Sequence, residues 1–426
     1  MSRPRVAVIG AGWAGLAAAV ELAPLAELTV FEAGRVAGGR ARAVDADGVA
    51  LDNGQHILIG AYRECLRLMR AVGVDPDAVL LRLPLQWRQA DGVAMRCPGL
   101  PAPWHLAAGL AFARGWRWRD KLALARALSS LKKDNWRVGD ALTVAEWLAA
   151  LGQPARLIET FWRPLVLSGM NTPLARASMA ACAAMLRDSL GASRADGELL
   201  LPRVDLSRLF PEPALAWLAA RGATLRLGQR VGRLDARAGG VTVDGEAFDA
   251  AVLAVAPYHA VKLTVPLPWH DEVKRWRFEP IYTVYLRFAR APRLPSVITG
   301  LAHGTAHWLF DKGALTGDAG WLAAVVSAAG ELAEAAHGEV VARVLADLRG
   351  VDPTLGQPLQ ARVIAEKRAT FAAEPGRCRP DVRLAIQYAY LAGDWMHPEY
   401  PATLEGAVQS GVTAARALID DLGLSA

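Results

Sequence analysis

The segment Gly10-Ala-Gly-Trp-Ala-Gly15 constrains the fold of this 426-residue chain more than any other stretch. It follows a short apolar run, Arg5–Ile9, which predicts a buried strand, and it opens the apolar stretch Trp13–Leu22, which predicts a helix. A second strand is predicted at Glu27–Glu32. Strand, glycine turn, helix and strand in this order form a βαβ unit. The G-x-G-x-x-G spacing at its turn is typical of a Rossmann-like dinucleotide-binding fold.

The three glycines have separate predicted roles. Gly10 permits the tight turn, Gly12 lets the backbone approach a pyrophosphate, and Gly15 lets the helix pack closely on the strand. The N-terminus of the helix presents unpaired N–H groups to the phosphates. Glu32 ends the second strand, where a carboxylate can accept hydrogen bonds from ribose hydroxyls. The residues of this region predicted to bind the dinucleotide are Gly10, Gly12, Trp13, Ala14, Gly15, Glu32 and Ala33.

The segment RVAGGR, residues 35–40, favours FAD over NAD. Gly38 and Gly39 let the chain turn back over a bound pyrophosphate, and Arg40 offers that group a charge-assisted contact. No second glycine fingerprint follows, so a separate nicotinamide domain is not expected.

The C-terminal region supplies a second predicted contact to the flavin. The run RLAIQYAYLAGD, residues 383–394, predicts a strand, and a helix is predicted over residues 403–422. Asp394 can bind ribityl or pyrophosphate groups, and the positive end of the helix can face the electron-rich edge of a flavin ring. The residues predicted to bind FAD here are Gly393, Asp394, Glu405, Gly406 and Ala407.

The stretch LDNGQHILIG, residues 51–60, places polar residues between apolar runs and follows the RVAGGR turn. We expect it to carry Gly54, Gln55 and His56 to the flavin. His56 is the candidate catalytic residue, because an imidazolium can donate a proton to a departing hydroxyl. The alternative is that His56 binds the cofactor or the backbone without titrating. Asp52 is interpreted as a turn residue or as a partner of Arg40 or Arg42.

These motifs carry a family resemblance. GAGWAGL, RVAGGR and LAGD followed by PATLEGAVQSG look like the flavin amine oxidase and phytoene desaturase superfamily. The resemblance implies FAD as the cofactor, and it implies that the backbone of Val231 meets the adenine. Cys378 lies in an Arg-Cys-Arg-Pro setting unlike the motif that attaches flavin in some amine oxidases, so we expect non-covalent FAD.

The middle of the chain is similar to one subgroup, the hydroxysqualene dehydroxylases. The strings that carry this similarity are DNGQHILIGAY, FWRPLVLSGMNTPLARAS, LRDSLGASRADGELLLPRVDLSRLFPEPALAWL and KRATFAAEPG. The resemblance implies reduction of hydroxysqualene to squalene with loss of water, in an apolar tunnel that holds a long isoprenoid. Other enzymes of the squalene pathway are expected partners. Asp188, within the third string, is interpreted as a member of a structural salt bridge.

Three other functions remain open on sequence grounds. The same fold could act oxidatively as a carotenoid desaturase, or it could serve as an amine oxidase with an aromatic pair framing the flavin. A non-catalytic protein that carries FAD and isoprenoids between enzymes is the alternative of another class.

The order of elements predicts an α/β fold, a Rossmann-like FAD-binding domain with an inserted mixed α+β substrate domain. Residues 1–97, 222–265 and 381–426 are assigned to the FAD-binding domain, and residues 98–221 and 266–380 to the substrate domain. Residues 98–221 read as mainly helical, and a helix is predicted over 331–349. The pair Asp244-Gly245 between two alternating runs predicts a hairpin.

Composition and charge exclude several classes of protein. The four cysteines have no C-x-x-C spacing, so neither a zinc site nor a disulfide framework is expected. The net charge of +6 comes without a basic run or recognition motif, so no nucleic acid partner is expected. Residues 104–133 are basic and rich in tryptophan, which is typical either of surface helices or of a segment in a bilayer interface. No segment reaches the ~18 apolar residues of a spanning helix, and a cytoplasmic protein at the inner membrane face is expected.

Overall fold

The computed structural model describes residues 3–191, 193–264 and 267–425. In this part of the chain the strands are β1 (Arg5–Ile9), β2 (Glu27–Glu32), β3 (Ala43–Ala46), β4 (Val49–Asp52), β5 (Leu58–Ile59), β6 (Leu80–Leu83), β7 (Gln86–Arg88), β8 (Ala94–Arg96), β9 (Leu199–Pro202), β10 (Thr224–Leu227), β11 (Leu234–Arg237), β12 (Gly240–Val243), β13 (Glu246–Phe248), β14 (Ala250–Leu253), β15 (Phe278–Arg287), β16 (Ile298–Gly300), β17 (Trp308–Asp311), β18 (Trp321–Ser327), β19 (Gln360–Phe371) and β20 (Ala389–Leu391).

The α-helices of the same residues are α1 (Trp13–Leu22), α2 (Arg63–Ala71), α3 (Pro76–Val79), α4 (Trp104–Ala111), α5 (Trp118–Lys133), α6 (Val144–Ala150), α7 (Ala155–Leu157), α8 (Arg163–Met170), α9 (Met179–Leu186), α10 (Leu206–Leu209), α11 (Pro211–Ala219), α12 (Pro257–Leu263), α13 (His270–Lys274), α14 (Lys312–Thr316), α15 (His337–Val351) and α16 (Leu404–Asp421). Short π-helical turns lie at Ile158–Trp162 and Arg187–Gly191. Short 3-10 turns lie at Ala195–Gly197 and Gly330–Leu332.

A five-stranded parallel sheet with the order β10-β2-β1-β14-β20 holds the glycine turn. Four of the five residues of β1 are buried, as expected for a central strand that is covered on both faces. Helices α1 and α16 pack so closely that a Cβ on Gly411 would lie 2.1 Å from the Ala14 carbonyl oxygen. The predicted βαβ unit and C-terminal helix are confirmed, and Thr403 caps α16 by accepting a hydrogen bond from the Gly406 N–H.

The hairpin predicted at Asp244-Gly245 is also confirmed. These two residues alone join β12 to β13, with φ angles of 49° and 86°. Positive φ at both central positions is the type I′ turn, whose twist matches that of the paired strands. Neighbouring β11 pairs with β12, which completes a three-stranded antiparallel sheet.

A second five-stranded sheet, antiparallel, has the order β16-β17-β18-β15-β19. Because side chains alternate along a strand, β15 serves two layers of the core. Tyr282, Val284 and Leu286 face the cluster that contains Val340 and Val344 of α15. Ile281 and Tyr285 face the opposite cluster, which also contains residues of the helical region.

Smaller sheets complete the strand pairing. β3 pairs with β4, β7 with β8, and β9 lies between β5 and β6. Residues 98–221 are mainly helical as predicted, but they also contribute β9. Trp87 of β7 packs against Phe161 and Trp308 at centroid distances of 5.2 and 5.1 Å.

Two predicted element boundaries are wrong. The strand predicted over residues 383–394 is reduced to β20, because the preceding residues form a turn in which Tyr388 has a φ of 63° and the Ala389 N–H donates to the Ile386 carbonyl. The helix predicted from residue 331 begins at His337, after a separate 3-10 turn at Gly330–Leu332. The domain boundaries stay a prediction, and the one between residues 265 and 266 lies outside the described residues.

Candidate active site

The glycine turn is built so that two positions tolerate no side chain. Gly10 has a φ of +106°, and a Cβ there would lie 2.3 Å from the Ala254 carbonyl oxygen just after β14. A Cβ on Gly15 would lie 1.9 Å from the Gly10 carbonyl oxygen, because α1 crosses the turn at close range. Gly12 is the N-cap residue of α1, and a Cβ placed on it would meet no atom beyond its chain neighbours closer than 3.9 Å. The turn is therefore open at Gly12, which is where a pyrophosphate is expected.

The carboxylate of Glu32 holds the turn from the end of β2. Its Oε2 accepts a hydrogen bond of 2.8 Å from the Ala11 N–H, and its Oε1 accepts one of 2.7 Å from the Gly34 N–H. The Gln229 N–H donates to the Glu32 carbonyl, which brings the Val231 segment alongside. Glu32 is thus fixed in place while each of its oxygens keeps a free lone pair for a ribose hydroxyl.

One cavity of about 1350 Å³ joins the glycine turn to an apolar chamber. This volume exceeds the roughly 300–1,000 Å³ of a drug-sized ligand site and suits a dinucleotide together with a long substrate. The residues predicted to bind FAD that line it are Gly10, Gly12, Trp13, Ala14, Glu32, Ala33, Gly38, Gly39, Arg40, Gly54, Gln55, His56, Val231, Gly393, Asp394, Glu405 and Ala407. Apolar residues that line the same cavity include Leu106, Leu110, Leu128, Phe161, Leu165, Ile281, Ile298, Trp308 and Phe310.

Two residues predicted to bind FAD are not among the described residues that line this cavity. Gly15 is covered by the turn itself, so its contribution is close packing and not contact with a ligand. Gly406 donates its N–H to Thr403 Oγ1, and it belongs to the first turn of α16.

Arg40 and Asp394 are bonded to each other across the cavity. Arg40 Nη2 donates to Asp394 Oδ1 at 2.6 Å, and its Nη1 donates to the Ala369 carbonyl oxygen at 2.6 Å. Burial alone would lower the pKa of Arg40, but the Asp394 carboxylate more than offsets this and the pKa is raised. Asn53 adds a third link by donating to the Arg40 carbonyl at 3.0 Å. The RVAGGR turn is therefore tied to β19 and to the end of the parallel sheet.

Asp52 does not pair with Arg40 or Arg42, so that prediction is wrong. Its Oδ2 accepts a hydrogen bond of 3.3 Å from Lys312 Nζ and its Oδ1 accepts one of 2.8 Å from the Leu206 N–H. Arg42 instead donates to the Gly39 carbonyl, and the Arg40 guanidinium is occupied by Asp394. Burial raises the pKa of Asp52, and the Lys312 charge opposes that rise. Asp52 anchors the start of the Gly54–His56 loop.

The side-chain amide of Gln55, in the cavity wall, is the group that most clearly indicates a ligand. Both its Nε2 and its Oε1 are shielded from solvent, and neither has a hydrogen-bond partner among the described residues. Such a group costs about 1–3 kcal/mol when it stays unpaired. A ligand edge that offers both a donor and an acceptor, such as the pyrimidine edge of a flavin, would satisfy both atoms. The residues present therefore fit FAD.

His56 lies beside this amide as a neutral group. Burial, and then the positive charge of Arg40, lowers the pKa of His56 to about 4. At neutral pH the ring is an imidazole with one N–H, and it is not the imidazolium that the proposed proton donation assumes.

Glu405 has a structural partner that the sequence did not reveal. Its Oε1 and Oε2 accept hydrogen bonds of 3.0 Å from the Glu64 and Cys65 N–H groups, in the first turn of α2. A carboxylate in this position caps the helix and complements its positive end. Glu405 therefore links α16 to α2, and because it also lines the cavity, its role as a cofactor ligand stays a prediction.

Sequence reasoning missed several polar residues of the cavity. Tyr62, Tyr400 and Asn171 line it, and so does Asp188, which had been given only a structural role. Asp188 does form the predicted ion pair, with Arg187. The available signal for Tyr400 was its place at the start of YPATLEGAVQSG, next to the helix predicted to face the flavin.

Comparisons with known proteins bear on this site. A family model described as flavin containing amine oxidoreductase matches residues 13–419. The hydroxysqualene dehydroxylase of Rhodopseudomonas palustris is 31% identical over 437 residues, which cover 96% of this chain and 97% of the relative. The hydroxysqualene dehydroxylase of Zymomonas mobilis is 28% identical, with 98% of each chain covered.

A solved structure of similar fold is that of a double mutant of putrescine oxidase. It superimposes with a TM-score of 0.76 at 18% identity, covering 98% of this chain and 99% of the other. Similarity at this level of identity shows the fold and carries no conclusion about the substrate.

Proposed function

The chain belongs to the flavin-containing amine oxidoreductase family and, within it, to the hydroxysqualene dehydroxylases, and from this premise we propose that it reduces hydroxysqualene to squalene. It is an FAD-dependent oxidoreductase with a Rossmann-like α/β fold. The observation that carries the proposal is the single cavity of about 1350 Å³ that unites the dinucleotide turn with an apolar chamber. A long hydrocarbon and a flavin can share this space, whereas a small polar amine would leave the chamber unfilled.

The proposed reaction consumes one hydride and one proton. The allylic C–O bond breaks, the oxygen leaves as water, and the carbon gains hydrogen. When bound, reduced FAD supplies the hydride. The chain itself supplies the apolar walls, which exclude water from the reacting carbon and hold the isoprenoid in place. Arg40, Asp394 and Gln55 are the side chains that would hold the cofactor.

An anaerobic assay tests the proposal. The purified flavoprotein is photoreduced and mixed with hydroxysqualene, with phytoene or with an amine, and the products and flavin absorbance are followed. We expect squalene together with reoxidation of the flavin from hydroxysqualene alone. Flavin reduction of the oxidised protein by phytoene or by an amine would replace the proposal with a desaturase or an amine oxidase, and no electron exchange with any of the three would favour a carrier.

We propose that FAD is bound without a covalent link. Cys378 is exposed and is not among the described residues that line the cavity. After precipitation with acid, the flavin is expected in the supernatant, and flavin retained on the precipitated chain would contradict this.

The surface formed by α4, α5 and their flanks, called here the α4–α5 surface, is proposed to bind an anionic bilayer at the inner face of the membrane. Three aromatic side chains on it are largely exposed, Trp104 at 66%, Phe112 at 84% and Trp118 at 68%. A contiguous apolar patch marks an interaction site, and the proposal takes these three side chains as one such patch. Trp116 lies outside this proposed surface, because it is 6% exposed and donates to Thr160 Oγ1 at 2.9 Å within the core.

Charge and position both favour a bilayer as the occupant of this surface. Residues 104–133 carry seven Lys or Arg residues and one acidic residue, Asp120, which is buried at the start of α5. Leu106 and Leu110 of α4 and Leu128 of α5 line the cavity. The helices that carry the exposed aromatics are therefore also walls of the apolar chamber, so a lipid-soluble substrate could enter from the bilayer. In the described part of the chain, no helix has the length and apolar character needed to cross a membrane.

A further inference from the structure

Asp188 and Tyr400 meet in the cavity wall, although they come from distant parts of the chain. Asp188 lies in the π-helical turn Arg187–Gly191 that follows α9, and Tyr400 lies in the loop that precedes α16. The Tyr400 hydroxyl donates a hydrogen bond to Asp188 Oδ2, and both residues line the cavity. The pair joins the chamber side of the cavity to the loop that continues from Asp394.

Both members of the pair are held in position. Arg187 donates to Asp188 Oδ1 through Nε at 2.7 Å and to Oδ2 through Nη2 at 3.0 Å. The Tyr400 ring stacks on His397 at a centroid distance of 3.8 Å and an interplanar angle of 13°. The Tyr400 N–H donates to His397 Nδ1 at 3.0 Å, which fixes the backbone as well. Two restrained side chains in a cavity wall present a defined geometry to a ligand.

The charge states of the pair are defined by the same contacts. Burial favours the protonated form of Asp188, but hydrogen bonds from Arg187 and Tyr400 outweigh it and the pKa of Asp188 is lowered. Burial, followed by the hydrogen bond to Asp188, raises the pKa of Tyr400. At neutral pH a carboxylate therefore accepts from a protonated phenol. The phenol has used its only donor, and its oxygen is left as an acceptor.

Apolar residues of the cavity wall flank the pair on the chamber side. Next to Asp188 in the chain, Leu186 and Leu190 line the cavity, and next to Tyr400, Pro401 and Ala402 do so. A hydroxyl group brought into such a place without a partner loses its hydrogen bonds to water at a cost of several kcal/mol. An acceptor already polarised by a carboxylate forms a stronger hydrogen bond than an isolated phenol, because the bonds of a chain reinforce one another.

We propose that the Tyr400 oxygen, held by Asp188, accepts a hydrogen bond from the hydroxyl group of the isoprenoid substrate and so distinguishes hydroxylated substrate from hydrocarbon product. This inference rests on the proposed function and deepens it. Tyr400 contacts the substrate, while Asp188 acts through Tyr400 as a positioning residue. Squalene lacks the hydroxyl and gains nothing from the pair, which favours its release after the reaction.

Three other polar groups of the chamber, those of Ser168, Ser189 and Asn171, are less suited to this role. Ser168 Oγ donates to the Leu165 carbonyl and Ser189 Oγ to the Met185 carbonyl, so neither is polarised by a charge. Asn171 uses its amide for the Glu279 carbonyl and Thr370 Oγ1, and its side-chain oxygen accepts from the Ala328 N–H.

Ligand binding to the oxidised holoprotein tests the inference independently of turnover. Hydroxysqualene and squalene are titrated in detergent micelles, and the perturbation of the flavin absorbance gives two dissociation constants. For the wild type we expect hydroxysqualene to bind about tenfold more tightly, the value of one good hydrogen bond. Tyr400→Phe should weaken hydroxysqualene about tenfold and leave squalene unchanged, and Asp188→Asn should give an intermediate ratio.

The chain offers a matched control in a second Tyr–Asp–Arg group. Tyr390 donates to Asp421 Oδ2 at 2.8 Å, and Arg383 holds Asp421 through two bonds of 2.8 and 3.0 Å. None of these three described residues lines the cavity. Tyr390→Phe removes the same type of bond and should keep the wild-type ratio of the two dissociation constants.

The outcomes separate this inference from the proposed function. Equal affinity of the wild type for the two ligands, or a wild-type ratio in Tyr400→Phe at full FAD content, would overturn the role of Tyr400. If Tyr400→Phe does not retain FAD, the same titrations are made with Asp188→Asn. A wild-type ratio of the two dissociation constants in that variant overturns the inference. Failure of the photoreduced wild type to form squalene from hydroxysqualene overturns the proposed function itself.

Discussion

Lys312 Nζ lies 3.3 Å from the Asp52 carboxylate, and the two residues, 260 positions apart in the chain, are both buried. The pair joins the end of β4 to the start of α14. The Tyr285 hydroxyl also donates to the Asp52 carbonyl at 3.0 Å, so β15 is tied to the same point. The loop that carries Gln55 and His56 begins at this junction of β4, α14 and β15.

Removal of the cation alone should destabilise the fold strongly. Lys312→Met leaves the Asp52 carboxylate buried without its partner, and such a change costs about 3–5 kcal/mol. The free energy of unfolding in urea measures the loss. Since a protonated Asp52 needs no cation, the deficit relative to the wild type should shrink as the pH is lowered toward the ordinary pKa range of aspartic acid.

The double variant Asp52→Asn/Lys312→Met serves as the control for this pair. This variant removes both charges. Its loss in free energy of unfolding should therefore be smaller than the summed losses of Asp52→Asn and Lys312→Met by at least about 1 kcal/mol. Strict additivity would show that the two groups do not interact.

Arg40 should contribute to FAD affinity by holding the walls of the site together. Arg40→Met removes hydrogen bonds to the Asp394 carboxylate and to the Ala369 carbonyl, and hydrogen bonds to charged groups are worth about 1.5–3 kcal/mol. We expect the dissociation constant of FAD, measured by fluorescence titration of the apoprotein, to rise about 10- to 100-fold. Arg40→Lys should restore little of this, because one ammonium cannot reproduce a planar fork with two partners.

The control for Arg40 is Arg35→Met in the same segment. Arg35 is exposed, so its removal should leave FAD affinity within about twofold of the wild type. An equal loss in both variants would indicate a general effect of charge and not the Arg40 contacts.

Local patterns predicted the part of the fold that local physics determines. The βαβ unit, the Asp244-Gly245 turn and α16 each depend on residues close in sequence, and all three are confirmed. The contacts of Asp52 and Glu405 could not be read in this way, because each is satisfied by groups more than 150 residues away. A carboxylate in a motif predicts that it has a binding partner. Only the tertiary structure shows whether that partner is a ligand, an ammonium group or the N-terminus of a helix.

Replacement of the Gln55 amide should raise the stability of the apoprotein and lower its affinity for FAD. Gln55→Met keeps the size of the side chain and removes two buried polar atoms that have no hydrogen-bond partner among the residues the structure describes. The apoprotein should therefore become more stable by about 1 kcal/mol, while FAD should bind more weakly because the ring edge loses its partner. Urea unfolding of the apoprotein and FAD titration give the two values. A less stable apoprotein with unchanged FAD affinity would contradict the assignment.

His56 should make the protein sensitive to acid. Its pKa is about 4 in the folded protein, lowered chiefly by burial, against about 6.5 in an unfolded chain. Between these values the unfolded chain binds a proton that the folded protein does not, so the stability present above pH 6.5 falls as the pH drops toward 4. The loss from this group amounts to at most about 3 kcal/mol.

Comparison of wild type and His56→Phe isolates that contribution. His307 has its pKa lowered to about 4 as well and remains in both proteins, so the difference between their pH profiles of unfolding belongs to His56. The variant should be less sensitive than the wild type between pH 6.5 and 4. Parallel profiles would show that the pKa of His56 is the same in the folded and unfolded protein.

His56→Ala distinguishes support of the cofactor from proton donation. Because the ring is neutral at pH 7, we expect the variant to lose FAD in proportion to its loss of turnover, with turnover per bound FAD within about threefold of the wild type. FAD content by absorbance and squalene formation by chromatography give the ratio. Full FAD occupancy with turnover abolished would instead support the prediction that His56 is the catalytic acid.

The exposed aromatic side chains of the α4–α5 surface should be required for binding to anionic vesicles. The variant Trp104→Ala/Phe112→Ala/Trp118→Ala removes three aromatic side chains that are exposed, so it should unfold at nearly the same urea concentration as the wild type. In flotation with vesicles that contain anionic lipid, the wild type should rise with the vesicles and the variant should stay largely behind. Higher salt should release the wild type, since its basic residues contribute through screened charges. Leu359→Ala, at an exposed leucine outside this surface, is the matched control and should float like the wild type. Equal flotation of the triple variant and the wild type would show that lipid does not bind at the α4–α5 surface. In that case the triple variant should also turn over vesicle-bound hydroxysqualene at the wild-type rate.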